Sequence, residues 1–163
     1  MHPDILRFAR RHQPTGACID VGAYNVNGAL SDVWPITLRV DMRAGPGVDR
    51  VLDAGALVET FGPESWDNVA SAEMLEHAED WRGALGNMWA ILKPGGLLLL
   101  TMASRKKGRH AYPDDYWRFD FADFLRLFAA NQIIDSFDGV VSIGALVRKS
   151  GPLDLTCNPH AVP

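Results

Sequence analysis

Three apolar runs in the first third of the chain, over residues 17–19, 36–40 and 48–52, each end at an aspartate: Asp20, Asp41 and Asp53. An apolar run that stops at an acid beside turn residues reads as a buried strand delivering its carboxyl end to a ligand crevice. The first acid is followed at once by Gly22, where backbone and ligand can come close. Two further apolar runs, over residues 66–72 and 97–101, flank a segment whose Leu85, Met88, Trp89 and Leu92 recur at the spacing of one helix face, and Lys93-Pro94-Gly95-Gly96 stops that segment. Runs of strand length alternating with helical patterns predict an α/β fold with a mostly parallel sheet covered on both faces. Residues 133–137 and 140–147 flank Asp138-Gly139, a dipeptide suited to a two-residue hairpin with positive φ, so the sheet is expected to end antiparallel.

An acid about twenty residues past a glycine turn is placed to accept hydrogen bonds from ribose hydroxyls, which fits a nicotinamide dinucleotide as well as other nucleosides. The run from Gly22 to Asn27 lacks the second glycine of the dinucleotide fingerprint, and Asp20 would repel a pyrophosphate. A ligand with a ribose, no phosphate and a positive charge suits the site better, which describes S-adenosylmethionine. The pieces IDVGAYNVNG, RVDMRAGPGVDRVLDA, VASAEMLEHAEDW and ILKPGGLLLLT stand in an order that resembles the class I S-adenosylmethionine-dependent methyltransferases, in particular the small type 11-like domains. The resemblance runs from Ala17 to Lys149 and implies a Rossmann-like, doubly wound, mostly parallel sheet with a terminal antiparallel hairpin. Tyr24 and Val26 depart from it, standing where many members carry glycines.

The resemblance implies a role for particular residues. Asp20, Gly22 and Ala23 would lie at the methionine end of the cofactor, Asp41 and Met42 at the ribose, and Asp53 and Ala54 at the adenine. Backbone at Ala72 and Glu73 would touch the methyl end, with residues 71–77 opening the acceptor pocket. The segment 104–119 holds Arg105, Lys106, Lys107 and Arg109 ahead of Tyr112, Tyr116 and Trp117. It is similar to the P-x-D-Y-W-R segment of small-molecule and glycan-related methyltransferases. On that reading Arg109, Tyr112, Tyr116 and Arg118 bind the acceptor, and its cations suit an anionic group. On the other reading the basic run is a solvated loop and the aromatics seat the next helix. If the acceptor is a hydroxyl, the candidate proton acceptors are His77, His110, Asp114 and Tyr116.

The expected function is methyl transfer to a small polar or glycan-like acceptor; the alternative is a non-catalytic module of the same fold that binds S-adenosylmethionine or its demethylated product. A chain of 163 residues with 47% hydrophobic content suits one domain, read as residues 1–149 with a tail over 150–163 that lacks periodicity. No apolar run approaches the roughly 18 to 20 residues that span a bilayer, and residues 1–12 mix charge into their apolar positions, so a cytoplasmic setting without membrane partners is expected. A net charge of -4 disfavours binding along nucleic acid backbones. Cys157 and His160 offer two ligands where structural zinc wants four, so no metal is assigned. Pro3 and Asp4 open a helix with Ile5, Phe8 and Ala9 on one face, ending near Pro14 and lying across the sheet edge or over the cofactor. Residues 27–34 allow at most a short helix, residues 55–61 a small one, and Phe121, Phe124, Leu125 and Phe128 mark a core-facing helix. Oligomeric state is not encoded in these patterns.

Overall fold

A computed structural model describes residues 1–109 and 114–162 of the protein. The central sheet contains β1 (Cys18–Val21), β2 (Leu38–Asp41), β3 (Arg50–Val51), β4 (Trp66–Ala72), β5 (Leu92–Ala103), β7 (Gln132–Asp138) and β8 (Ser142–Arg148), in the spatial order β3-β2-β1-β4-β5-β8-β7. The pairs from β3 to β5 are parallel, while β8 runs antiparallel to both β5 and β7. Alternate residues of the buried strands point to opposite faces, as a period of two requires. Ile19, Val69, Leu98, Leu100 and Val147 meet Leu85, Met88, Phe124 and Phe128 on one face, the side of α3 (Trp81–Ile91) and α4 (Phe121–Arg126). Cys18, Ala70, Leu99 and Leu146 meet Ile5, Phe8, Leu30 and Trp34 on the other, the side of α1 (Pro3–Arg10). Burial on both faces is why these strands read as unbroken apolar runs.

The first helix ends at Arg10, short of Pro14, and covers the middle of the sheet rather than its edge. Trp34 fixes it there by donating from Nε1 to the Ala9 carbonyl at 3.0 Å, and Phe8 packs on Phe137 with ring centroids 4.9 Å apart. The abbreviated crossovers are as the sequence implies. A single 3-10 turn, Leu30–Asp32, follows β1, and another, Ala54–Ala56, leads into the short α2 (Leu57–Phe61). No helix among the described residues is long and apolar enough to cross a membrane.

Two expectations are corrected. The terminal hairpin turns two residues later than Asp138-Gly139: Gly139 N donates to Ser142 O at 3.0 Å, which places Val140 and Val141 at the tip. Gly139 lacks a positive φ. It is small because a Cβ there would lie 2.6 Å from the Ser142 carbonyl oxygen, a close approach between strands rather than a left-handed turn. Residues 150–162, read as a tail, are packed onto the domain. Cys157 is buried, with Leu153 and Leu155 against the same core, and β9 (His160–Ala161) pairs antiparallel with β6 (Trp117–Arg118). Arg82 of α3 donates to the carbonyls of Leu155 and Cys157, and Trp89 Nε1 donates to that of Gly151. Side-chain donors projecting from an earlier helix hold this segment, so it needs no periodicity of its own.

Candidate active site

Strand order reverses at β1, whose neighbours β2 and β4 are followed by crossovers in opposite directions, and the carboxyl ends of these strands open on a crevice of about 760 Å³. A volume of that order, within the ~300–1,000 Å³ of small-molecule sites, at a topological switch point, is where open α/β sheets take ligands. Asp20, Gly22, Ala23, Asp41, Met42, Asp53, Ala54, Ala72 and Glu73, spread over fifty-odd positions of sequence, all line it.

Each of these residues is positioned by the backbone around it. Gly22 has φ 84°, and a Cβ there would sit 2.3 Å from Met74 Cγ, so both conformation and space call for glycine. Asp20 is 4% exposed and lines the crevice. Burial pushes its pKa up to about 7; Arg39 opposes that shift and Asp41 adds to it. Asp41 accepts from Tyr24 N at 3.2 Å and Arg43 N at 2.9 Å, one bond on each oxygen, so each oxygen keeps a lone pair for a ligand. Asp53 lines the crevice and accepts from Gly55 N at 2.7 Å through Oδ1. Val26 and Met42, 69% and 63% exposed, give this end an apolar rim. Tyr24, which sequence comparison marked only as a departure from glycine, has its ring over Gly45, where a Cβ would meet Tyr24 Cε2 at 2.3 Å. The glycines of residues 43–47 are the signal that pairs with it.

At the other end the crevice is lined by Glu73, His77, Glu79, Asp80, Lys107, Asp114 and Tyr116. The His77 Nδ1 bond to the Asp114 carbonyl, 2.7 Å, makes that nitrogen the donor, since a carbonyl only accepts. Tyr116 N donates to Glu76 O at 2.9 Å, which ties the segment after residue 113 to the turn after β4. Burial, with Asp114 and Glu79 nearby, holds the Tyr116 phenol above its ordinary pKa and disfavours it as a base. Arg118 is corrected: its guanidinium is buried against the Asp115 carboxylate, with Nη2 to Oδ2 at 2.6 Å, and faces the interior. Arg109 lines a separate hollow of about 430 Å³ beside Asp114, Tyr116 and Trp117. His110 and Tyr112 lie outside the described residues. Arg105 pairs with Asp120 at 2.7 Å, Lys106 with Asp138 at 2.9 Å, and Lys107 with Glu73 at 3.6 Å. Three of the four cations in the basic run thus face the protein's own acids, and carboxylates outnumber cations along the crevice.

A methyltransferase domain family model matches residues 2–151 of the chain. The ubiquinone/menaquinone biosynthesis C-methyltransferase UbiE of Bordetella parapertussis is 30% identical over 138 residues, which cover 78% of this chain and 47% of the relative. The chain therefore spans about half the length of the curated relatives it matches. Among solved structures, a Thermotoga maritima methyltransferase described as a possible histamine N-methyltransferase superposes with a TM-score of 0.68 at 15% identity, covering 90% of this chain and 88% of that one. The Burkholderia thailandensis 1,6-didemethyltoxoflavin N1-methyltransferase, solved with 1,6-didemethyltoxoflavin and S-adenosylhomocysteine, superposes with a TM-score of 0.66 at 15% identity, covering 91% and 78%. At that identity the likeness is one of fold.

Proposed function

The chain belongs to the class I S-adenosylmethionine-dependent methyltransferases, and we propose that it binds S-adenosylmethionine in the crevice at the ends of β1, β2 and β4 and transfers the methyl group to a small polar acceptor. The observation that carries this reading is Asp20, a carboxyl 4% exposed that lines the crevice at the end of β1 with Asp41 and Asp53 on the neighbouring strand ends, a lining that suits a cationic ligand. A positive ligand group beside Asp20 favours its ionised form.

The remaining residues fit the rest of the molecule. Asp41 keeps acceptor capacity on both oxygens for a pair of ribose hydroxyls, and Asp53, which lines the crevice, suits an adenine amino group. Met42 and Val26 offer apolar surface for the base. Bound there, the cofactor supplies a methyl group on a sulfonium, which an acceptor lone pair displaces while a neutral thioether leaves. The chain's task is to hold the acceptor in line, and positioning of this kind is worth up to about 7 to 11 kcal/mol of barrier. His77, Asp114 and Tyr116, joined to one another and to the turn after β4, form the wall that orients it. Glycan-like compounds remain within this class; an anionic one fits the acidic lining less well. Buried free thiols at Cys18 and Cys157 fit a reducing, cytoplasmic setting.

The test is formation of S-adenosylhomocysteine from S-adenosylmethionine with a panel of hydroxyl, amine and thiol compounds, read by chromatography. Product that needs both protein and acceptor is expected. Tight cofactor binding with no product across the panel would favour the non-catalytic module.

A further inference from the structure

Polar atoms without partners gather at the carboxyl ends of β4 and β5 and the start of β8. Glu73 Oε1, Glu76 Oε2 and Thr101 Oγ1 are buried without a hydrogen bond from the described residues, and the buried Ser142 Oγ lies near enough to the Glu73 carboxylate to favour its ionised form. Thr101, Ala103 and Ser142 share one face of the sheet, and Glu76 enters from the turn above to accept from Ala103 N at 3.0 Å through Oε1. Such atoms are rare in a native interior and ask for a ligand or water.

Glu73 is the member of this group that reaches the crevice. Its Oε2 faces Lys107 Nζ at 3.6 Å. Its backbone holds φ 54°, a left-handed conformation uncommon for a residue with a side chain, while its N–H donates to Thr101 O at 3.0 Å. Strain of this kind persists where it aims a group at a task. Accepting the methyl-transfer reading above, we propose that Glu73 takes the acceptor's proton.

As the acceptor's oxygen, nitrogen or sulfur forms its bond to the methyl carbon, the carbon–sulfur bond of the sulfonium breaks and its electron pair stays on sulfur. The acceptor's proton passes to the Glu73 carboxylate, which becomes a neutral acid and returns the proton to water as products leave. The acceptor class is therefore one that must shed a proton. The surroundings act on both carboxyls of this turn. Burial raises Glu73, opposed by Lys107 from the loop after β5, by Ser142 on β8 and by His2 ahead of α1. Burial and the neighbouring Glu73 push Glu76 up to about 8, opposed by its backbone bonds and by Arg118 on β6. Lys107, 3.6 Å from Glu73 Oε2, favours the ionised form that can accept a proton.

Carboxyl carbon NMR of glutamate-labelled protein, with the Glu73 signal assigned from Glu73→Gln, tests the base without any acceptor. Glu73 is expected to ionise above the range of unperturbed glutamates; ionisation within that range, about pH 4 to 5, would overturn the proposal. Turnover tests the role. Catechol has a proton to lose and N-methylimidazole has none at its attacking nitrogen. Glu73→Gln should slow catechol methylation by about 10²- to 10⁴-fold and remove its rise with pH, sparing N-methylimidazole and S-adenosylmethionine affinity. Equal loss with both probes, or none with catechol, would overturn it. Glu73→Gly relieves the positive φ and should melt no lower than wild type; a clear fall would make Glu73 a structural residue. Failure of the wild-type protein to bind S-adenosylmethionine would instead remove the methyl-transfer reading, leaving the carboxyl titration to stand or fall on its own.

Discussion

Asp20 couples folding to ligand binding through its proton. Its folded pKa, about 7 against an ordinary 3.8, means that the folded state holds a proton that the unfolded chain has lost across that interval. Glu76 does the same from 4.5 to about 8. Stability of the ligand-free protein is therefore full below about pH 4 as far as these groups are concerned, and is lost as pH rises through 7 to 8. Thermal melts across that range should show the fall, and Asp20→Asn should melt higher than wild type at pH 8 while binding S-adenosylmethionine roughly tenfold or more weakly. A mutant that melts lower at pH 8 would mean that the carboxylate is satisfied in the fold. Asp41 is a second probe. Losing its paired ribose bonds in Asp41→Ala should cost about 1.5 to 3 kcal/mol of cofactor binding, measured by calorimetry on a mutant whose melt is normal. Both acids were legible in the sequence because each interrupts an apolar run at its end. Glu73 was legible only as a backbone contact, and Glu76 not as a functional group, because burial and an unpartnered oxygen are properties of the packed interior.

At the scale of elements, the strands and α3 could be read from apolar runs and a helical face, since burial on both sides of the sheet leaves nothing polar to blur them. The hairpin was located, yet its turn was misplaced: Asp138-Gly139 carries the composition of a tight turn, but Gly139 serves the approach of Ser142 O. The last segment was misread for a related reason. Its anchors, Arg82, Trp89 and Asn131, lie twenty or more residues earlier, and its carbonyls are acceptors that any sequence would supply. Asp154 N donates in turn to Leu127 O at 2.9 Å, and Val162 N to Tyr116 O at 2.8 Å. Truncation after Lys149 should therefore uncover the core beside Cys157 and cost more than about 3 kcal/mol, a fall in Tm of at least about 6 °C by calorimetry. An unchanged Tm would show that the segment rests on the domain without supporting it. Because Val162 and β9 hold Tyr116 and β6, the same truncation should weaken acceptor turnover more than cofactor affinity.

Over the whole molecule, two short crossovers bring Asp20, Asp41 and Asp53 to one side of a single crevice, and the turn after β4 brings Glu73 and His77 to its other end. The cofactor end was readable because its residues follow directly from strand ends. The acceptor end was not, because the segment after β5 is fixed by distant ion pairs: Arg105 to Asp120, Lys106 to Asp138 and Arg118 to Asp115 take up charges that looked available for a substrate. In the function proposed above, the acidic lining that those pairings leave suits a neutral or cationic acceptor better than an anionic one. The central claim is that the crevice is a site for S-adenosylmethionine, and calorimetric titration of S-adenosylmethionine into wild-type protein and Asp41→Ala side by side tests it most directly. The account predicts saturable one-to-one binding to the wild-type protein and an affinity lower by roughly ten- to more than a hundredfold in the mutant. Absence of binding to the wild-type protein, or equal affinity in the two, would contradict it.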